Sequence, residues 1–460
     1  MNSTRSATAP LLAVRGEIVY FTSDPASRGA AACEHFPDGL LVIANGRVVR
    51  CGPAAELLPA LPSEARQIDH RDKLILPGFV DTHIHYAQTS IVASYGARLS
   101  TWLAEYAWPA EANFIDPAHA AAEAAFFCDE LLQNGTTTAM TFATMHPASV
   151  EALFEAAAAR RMRLIAGKVL MDRNCPQNLR DANAATGDAQ SRALIEKWHE
   201  RDRLAYAITP RFAPTSTPEQ LQLASRLFHE IPSLYLQTHL AEQRDEAAWV
   251  AKLYPDARSY YDVYASRGLS GTHSVFAHCI WLENEDRHML ADTGAAMSFC
   301  PTSNLFLGSG LFNLARAREA GARIGMGTDI GAGTSFSLLR TLSEAYKVLQ
   351  LAGQTLSPEE GFYLATLGGA RALYLDEFIG NFAPGREADF VVLDPQATPL
   401  LARRMANAAT LRERLFVLMM LGDEQCVAAT YVLGEPMFYR NSHRINHSNP
   451  PSSKVASHAF

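Results

Sequence analysis

The apolar positions of this chain follow two different patterns, and the first occupies both chain ends. Short β-rich runs are broken by Gly and Asn in LLAVRGEIVYF and GLLVIANGRVVRCG near the start, and in EADFVVLD and VAATYVLGEPMFY near the end. The ANGR and LGEP segments are typical of hairpin turns. The pattern therefore predicts one small β domain, a β-sandwich, that is built from residues 1–75 and 386–442.

The second pattern occupies the middle of the chain, where apolar strand-like runs alternate with amphipathic stretches typical of helices. The eight runs are GFVDTHIH, TTTAMTFAT, LIAGKVLMD, LAYAITPRFAP, LYLQTHLAE, SVFAHCI, AAMSFCPTSN and RIGMGTDIG. Apolar strands alternating with helices indicate a parallel sheet covered by helices. Eight units over about 260 residues match a (β/α)8 barrel, expected over residues 76–385. A doubly wound open sheet is the alternative, although no GxGxxG or P-loop sequence supports it.

Composition and charge exclude several classes of protein. The chain has 460 residues and a net charge of −8, and its basic residues form no block typical of nucleic-acid or anionic-membrane surfaces. No apolar run is long enough to suggest a membrane span, and the N-terminus lacks a signal-peptide core. The seven cysteines are widely spaced and form no CxxC, which favours a reducing compartment. We therefore expect a cytoplasmic protein, with a disordered polar tail at residues 443–460.

The candidate metal ligands lie near the ends of four of the eight runs. His83 and His85 end the first run, and because strand side chains alternate, both rings point to the same face. His239, His278 and Asp329 lie near the ends of the fifth, sixth and eighth runs. The carboxyl ends of barrel strands converge on one mouth, where imidazole nitrogens and a carboxylate oxygen suit Zn²⁺ and are also accepted by Fe²⁺. A single histidine is more often a surface or core residue, so the shared placement at strand ends carries this prediction.

Several motifs resemble a known family. PGFVDTHIH, THLAE and GMGTDIG resemble the amidohydrolase superfamily, whose members are metal-dependent barrels with a small β domain built from both chain ends. FVDTHIHYAQ, TWLAEYAWPAE, ITPRFAPTS, THLAEQ, FCPTSNLFLGSGLFN and GTDIGAGTSFS resemble more closely its guanine deaminase branch. The resemblance implies that His83, His85, His239 and Asp329 bind one Zn²⁺. Two-metal relatives carry a bridging lysine after strand four, where this chain has ITPRF, so one metal is expected.

The resemblance also implies the reaction, which is hydrolytic deamination of guanine to xanthine and ammonia by attack of metal-activated hydroxide on C2. Glu242, three residues after His239, is expected to act as the proton shuttle. A solvated surface glutamate or a residue in the first turn of a helix is the alternative for Glu242. His278 is expected to hydrogen-bond the attacking oxygen. Asp329 is expected to combine metal binding with proton transfer, and His239, Glu242 and Asp329 would also contact the substrate.

Five further residues are candidates for substrate binding. Gln88, Arg211 and Phe212 match the substrate-contacting positions of the family. The Gln88 amide suits a purine edge, Arg211 can donate to O6, and Phe212 can stack on the base. Trp102 and Leu103 are expected to form an apolar wall. A structural salt bridge is the alternative for Arg211, and core packing is the alternative for Phe212 and Trp102.

Two other functions remain open at the level of the sequence. The same scaffold could act on another amino-heterocycle, such as a different purine, a pterin or a triazine. It could also be a catalytically inactive binding protein, although such proteins usually lose the metal ligands that are present here. The expected partner is a small purine, without nucleic acid or membrane. A homodimer is expected from the family resemblance alone.

Overall fold

The computed structural model describes residues 11–96 and 98–440, and its strands form two sheets. The predicted disordered tail at residues 443–460 lies outside the described residues. The strands are β1 (Leu12–Phe21), β2 (Cys33–Ala44), β3 (Arg47–Pro53), β4 (Arg66–Pro77), β5 (Phe79–His85), β6 (Thr136–Phe142), β7 (Arg163–Gly167), β8 (Val169–Leu170), β9 (Leu204–Pro210), β10 (Tyr235–Leu240), β11 (Ser274–His278), β12 (Ala296–Phe299), β13 (Arg323–Met326), β14 (Phe390–Leu393), β15 (Val427–Val432) and β16 (Glu435–Tyr439).

The first sheet joins the two chain ends. Its strand order is β16–β15–β14–β4–β1–β2–β3, and only the pair β1 and β4 is parallel. Strand β4 therefore pairs with β1 on one side and with β14, from the far end of the chain, on the other. Alternating apolar side chains such as Val14, Ile18 and Val392 pack together in its core. This arrangement confirms the separate β unit built from both ends, while the exact domain boundaries stay a prediction.

The second sheet is a nearly closed parallel barrel. Its order is β5–β6–β7–β9–β10–β11–β12–β13, and the two-residue strand β8 continues β7 and pairs with β9. The two ends of the sheet meet, because Asp329 N donates to His83 O at 2.9 Å and His85 N donates to Ile330 O at 2.9 Å. This topology confirms the (β/α)8 barrel, and the doubly wound alternative is wrong.

Helices cover the barrel because their apolar residues recur at helical spacing. In the helix Pro117–Gln133, for example, Asp116 caps the N-terminus, and Ala120, Ala124 and Leu131 are buried on one face. The helices are α1 (Pro25–Arg28), α2 (Ala54–Leu57), α3 (Leu99–Trp102), α4 (Trp108–Ala112), α5 (Pro117–Gln133), α6 (Pro147–Ala159), α7 (Ala184–Trp198), α8 (Pro218–Glu230), α9 (Arg244–Leu253), α10 (Tyr260–Ala265), α11 (Asn284–Asp292), α12 (Pro301–Phe306), α13 (Leu314–Glu319), α14 (Leu338–Leu351), α15 (Pro358–Tyr363), α16 (Gly369–Ala372), α17 (Pro399–Met405) and α18 (Leu411–Leu421). Within the described part of the chain, none of these helices is long and apolar enough to cross a membrane.

One helical segment partly covers the carboxyl-end mouth of the barrel. Helices α3 and α4 are joined by a π-helical turn over Leu103–Ala107, so the chain stays helical across this region. Trp102 and Leu103 are buried against Leu307 and Ala332, which follow β12 and β13. The segment therefore forms an apolar roof over the ends of the barrel strands.

Candidate active site

The four predicted metal ligands converge at the barrel mouth. His83 Nε2 lies 3.2 Å from Asp329 Oδ1, and His85 Nε2 lies 3.4 Å from the same oxygen. His85 Nε2 is 3.2 Å from His239 Nε2. His83, His85 and Asp329 are buried, and His239 is partly buried. Strands β5, β10 and β13 thus bring together residues that are up to 246 positions apart in the sequence, from His83 to Asp329.

The pKa values of three of these groups are shifted toward the protonation states that bind metal. Desolvation lowers the pKa of His85 to about 4 and the pKa of His239 well below its usual value. Burial acts to raise the pKa of the Asp329 carboxyl, but the neighbouring His83 and His85 outweigh it and leave that pKa well below its usual range. At neutral pH the site therefore offers lone pairs on imidazole nitrogens and an ionised carboxylate.

The residues fit a divalent metal ion. Among the described residues, His83 Nε2 and His278 Nε2 are buried without a hydrogen-bond partner, which is costly unless another group occupies the space between them. The His239 Nδ1–H donates to Arg211 O at 2.6 Å, and this leaves Nε2 as the atom with a free lone pair. Ligand atoms of His83, His85 and Asp329 all lie within 4.8 Å of one another, as do those of His83, His239 and His278. Imidazoles with one carboxylate are suitable ligands for zinc or iron.

Cys300 also lies near this set but is a poor ligand. Its sulfur is within 4.8 Å of ligand atoms of His278 and Asp329. Burial raises the pKa of the Cys300 thiol well above its usual value, and the Asp329 charge raises it further. The thiolate is the form that binds metal, so Cys300 acts as a small buried residue.

Glu242 and His278 lie beside the metal-ligand set. Glu242 Oε2 is 3.6 Å from His278 Nε2. Glu242 is only 3% exposed, so the alternative of a solvated surface glutamate is wrong. Burial raises the pKa of the Glu242 carboxyl well above its usual value, and the nearby charges of Glu246 and Asp329 add to the effect. A carboxyl with a raised pKa binds a proton more readily than an exposed one, which suits a group that accepts a proton and passes it on.

The segment that follows β12 contacts both of these groups. The Ser309 hydroxyl donates to Glu242 Oε1 at 2.7 Å, and the Asn304 amide lies 2.9 Å from His278 Nδ1. Asn304 lies on α12, which begins directly after β12, and Ser309 lies in the loop after α12. Side chains of this segment contact the two groups best placed to move protons, and Leu307 from the same segment lines the cavity.

The predicted substrate residues line a cavity next to the metal-ligand set, and its empty space, including space open to solvent, is about 420 Å³. Its lining includes the following predicted residues: His85, Gln88, Trp102, Leu103, Arg211, Phe212, His239, Glu242, His278 and Asp329. His83 alone of the predicted site residues lies behind this lining. The structure therefore brings the whole predicted set together.

The structure supports the structural alternatives for three of these residues, and their substrate-binding roles stay a prediction. Arg211 forms a buried ion pair with Glu111, with Nη1 2.8 Å and 2.7 Å from the two carboxylate oxygens. Phe212 packs edge-on against Trp249, with 6.1 Å between the ring centroids. Trp102 belongs to the apolar cluster of the roof. Each of the three predicted residues nevertheless presents part of its side chain to the cavity.

Comparison with known proteins now identifies the family. The amidohydrolase family model matches residues 74–437. The chain is 52% identical to the guanine deaminase of Escherichia coli (strain K12), and the match covers 94% of this chain and 98% of that protein. The chain belongs to the amidohydrolase family, in its guanine deaminase branch.

Solved structures of amidohydrolases in this branch share the fold. The E. coli guanine deaminase structure superposes with a TM-score of 0.90, covering 94% of this chain and 99% of that chain. A guanine deaminase from C. acetobutylicum, solved with guanine bound in its active site, is 28% identical with a TM-score of 0.84 and covers 93% of this chain and 100% of that chain. The family-level expectation from the sequence motifs is confirmed.

Some residues of this amidohydrolase site were missed by the sequence reasoning. Leu99, Glu246, Leu307 and Ala332 also line the cavity, and Glu111 lies directly behind it. Glu246 had a local signal, because a glutamate three residues after Gln243 completes a capping box at the start of α9. The other four had no local signal, since their role depends on which segments meet above the barrel.

Proposed function

We propose that this chain catalyses the hydrolytic deamination of guanine to xanthine and ammonia. The observation that carries the proposal is the meeting, in one cavity, of a metal-ligand set, a buried carboxyl and two side chains suited to a purine edge. Membership of the guanine deaminase branch supports the same reaction.

A single metal ion is part of the proposal. His83, His85, His239 and Asp329 would hold it, with Zn²⁺ as the expected ion and Fe²⁺ as an ion that the same residues accept. A divalent ion in such a site would lower the pKa of a bound water to about 7 and so supply a nucleophile at neutral pH.

Glu242 is proposed to carry the proton. It accepts a proton from the attacking water and delivers it to the purine ring nitrogen and then to the 2-amino group, which leaves as ammonia. The Ser309 hydroxyl occupies Oε1 and leaves Oε2, on the His278 side, for this transfer. His278 is proposed to hydrogen-bond the attacking oxygen, and its Nε2 has no hydrogen-bond partner among the described residues.

Purine recognition is proposed to come from the other wall of the cavity. The Arg211 guanidinium donates to O6, the Gln88 amide faces the same edge, and Phe212 stacks on the base. Trp102 and Leu103 close the cavity with apolar surface. A site that hydrogen-bonds a substrate oxygen strongly rejects analogues that lack it.

The proposal is tested by measuring ammonia release from guanine with metal-replete protein, using adenine and cytosine as controls. Glu242→Gln should lower turnover by about 10²–10⁴-fold while bound metal stays unchanged. Glu219→Gln, which removes an exposed carboxylate on α8, is the matched control and should be fully active. Metal-replete protein that releases no ammonia from guanine would refute the proposed substrate, and a fully active Glu242→Gln variant would refute the proton role.

We also propose a cytoplasmic location and a homodimer. All seven cysteines are free thiols, which fits a reducing compartment. The homodimer follows from resemblance to the family. Light scattering at micromolar concentration tests it, and a monomer would contradict it.

A further inference from the structure

Glu111 is a buried carboxylate that the proposed chemistry does not use. It lies on α4, is 1% exposed and is absent from the cavity lining. It nevertheless accepts hydrogen bonds from both proposed purine-edge residues. Gln88 Nε2 donates to Oε1 at 2.8 Å, and Arg211 Nη1 donates to Oε1 and Oε2 at 2.8 Å and 2.7 Å.

The contact between Glu111 and Arg211 determines the orientation of the guanidinium relative to the cavity. The group is planar, and its five N–H donors form a rigid fork. When Nη1 is held against the Glu111 carboxylate, the plane of the guanidinium is restricted and its remaining N–H groups are available to the cavity that Arg211 lines. Glu111 also balances the charge of a guanidinium that is 3% exposed and would be costly to bury alone.

The contact with Gln88 determines which end of the amide points in each direction. The Glu111 oxygen that pairs with Gln88 accepts its hydrogen bond from Nε2, and this contact orients the amide. At the other end, Gly331 N donates to Gln88 Oε1 at 3.3 Å. The amide is therefore held at both ends, and the second lone pair of Oε1 stays available as an acceptor.

These two orientations complement one edge of guanine. Guanine carries a donor, N1–H, beside an acceptor, O6. An acceptor from Gln88 next to a donor from Arg211 matches that pair, whereas a flipped amide would place a donor against N1–H. A shared carboxylate that fixes both side chains is what such a match requires.

We infer that Glu111 is a positioning residue for purine recognition, which orients the Gln88 amide and the Arg211 guanidinium toward the N1–O6 edge of the substrate. The inference rests on the proposed function, because it specifies how that site selects an oxo-purine. Glu111 acts through its two partners and does not contact the reacting atoms.

The test compares wild type with Glu111→Gln on two ligands. 2-Aminopurine keeps the 2-amino group but lacks both O6 and the N1 hydrogen. We expect Glu111→Gln to raise KM for guanine by about 100-fold. We expect kcat to change by less than about tenfold, because this edge is bound equally in the ground and transition states. The dissociation constant of 2-aminopurine, measured by its fluorescence, should change by less than about threefold.

Two further variants separate positioning from general structural support. Glu105→Gln removes an exposed carboxylate from the same helical segment and should leave all three quantities unchanged. Glu111→Asp keeps the negative charge on a shorter side chain and should give a guanine KM between wild type and Glu111→Gln. If Glu111→Gln does not fold, the Glu111→Asp comparison of the two ligands decides in its place.

A double-mutant cycle tests whether Glu111 acts through Arg211. In the Arg211→Met background, Glu111→Gln should raise the guanine KM by less than about threefold, because the group that it orients is gone. An unchanged guanine KM in Glu111→Gln, or equal weakening of guanine and 2-aminopurine, would overturn the inference. Wild-type protein that does not deaminate guanine would instead refute the proposed function, so the two failures are distinguishable.

Discussion

Buried charged and polar groups occur at both ends of the barrel. At the amino end they form ion pairs, and at the carboxyl end several of their atoms lack a hydrogen-bond partner among the described residues. At the amino end, Glu387 accepts two hydrogen bonds from Arg163 at 2.8 Å each and two from Arg203 at 3.1 Å and 2.8 Å. Arg203 also contacts Asp389. These ion pairs join the barrel to the segment that precedes β14, and both carboxylate oxygens of Glu387 accept hydrogen bonds.

The carboxyl-end mouth is built from equally buried groups that are not saturated. His83 Nε2 and His278 Nε2 have no hydrogen-bond partner among the described residues, and Glu242 has one oxygen without a hydrogen bond there. Leaving such atoms unpaired costs stability, so it indicates a place where another group binds. Buried polar groups therefore stabilise the fold at the amino end of the barrel, and at the carboxyl end they are available to bind another group.

The largest expected effect comes from removing a ligand at the mouth. His83→Ala should lower guanine turnover by at least about 10³-fold, because the metal that activates water is lost. Elemental analysis should show less than one bound metal ion per chain. His288→Ala, at an exposed position on α11, is the matched control and should keep both metal and turnover. A His83→Ala protein with full metal content and wild-type turnover would show that His83 does not bind the metal.

The second-largest effect is expected at the amino end of the barrel, where stability should change and activity should not. Glu387→Gln should lower the free energy of unfolding by about 3 kcal/mol, because it leaves two arginines short of charge compensation. Guanine kcat/KM at 25 °C should stay within about twofold of wild type. Urea denaturation and initial rates measure the two quantities. Glu377→Gln, which removes an exposed carboxylate from the same connecting segment, should change neither.

The stability difference at Glu387 should also depend on pH. Burial acts to raise the pKa of the Glu387 carboxyl, but Arg163 and Arg203 outweigh it and leave that pKa below its usual value. A pKa that is lower in the folded state stabilises the protein above the unfolded-state pKa, and the contribution is lost as the pH falls through the folded-state pKa. The difference between wild type and Glu387→Gln should therefore be full at pH 7 and shrink below about pH 4. A difference that stays constant down to pH 3 would contradict this electrostatic account.

The same contrast shows what could be predicted from the sequence. The barrel and the convergence of the strand-end histidines and Asp329 at its mouth were predictable because strand side chains alternate and because the carboxyl ends of parallel strands meet at one mouth. The spacing of His83 and His85 carries that information locally. The partners of these groups were not predictable, since Glu111 and Arg211 are 100 residues apart and Arg203 and Glu387 are 184 residues apart. No local pattern records which acid meets which arginine.

The smallest expected effect concerns Ser309, which no local signal marked. Its hydroxyl holds Glu242 Oε1 at 2.7 Å and so restrains the carboxyl that is proposed to move the proton. Ser309→Ala should lower kcat by about tenfold, the equivalent of one hydrogen bond to a charged group, and should leave bound metal and guanine KM unchanged. Thr334→Ala, at an exposed position on the loop after β13, is the control and should retain full kcat. An effect on KM alone would show instead that the loop after α12 shapes the cavity without governing proton transfer, because restraint of the Glu242 carboxyl acts on the chemical step.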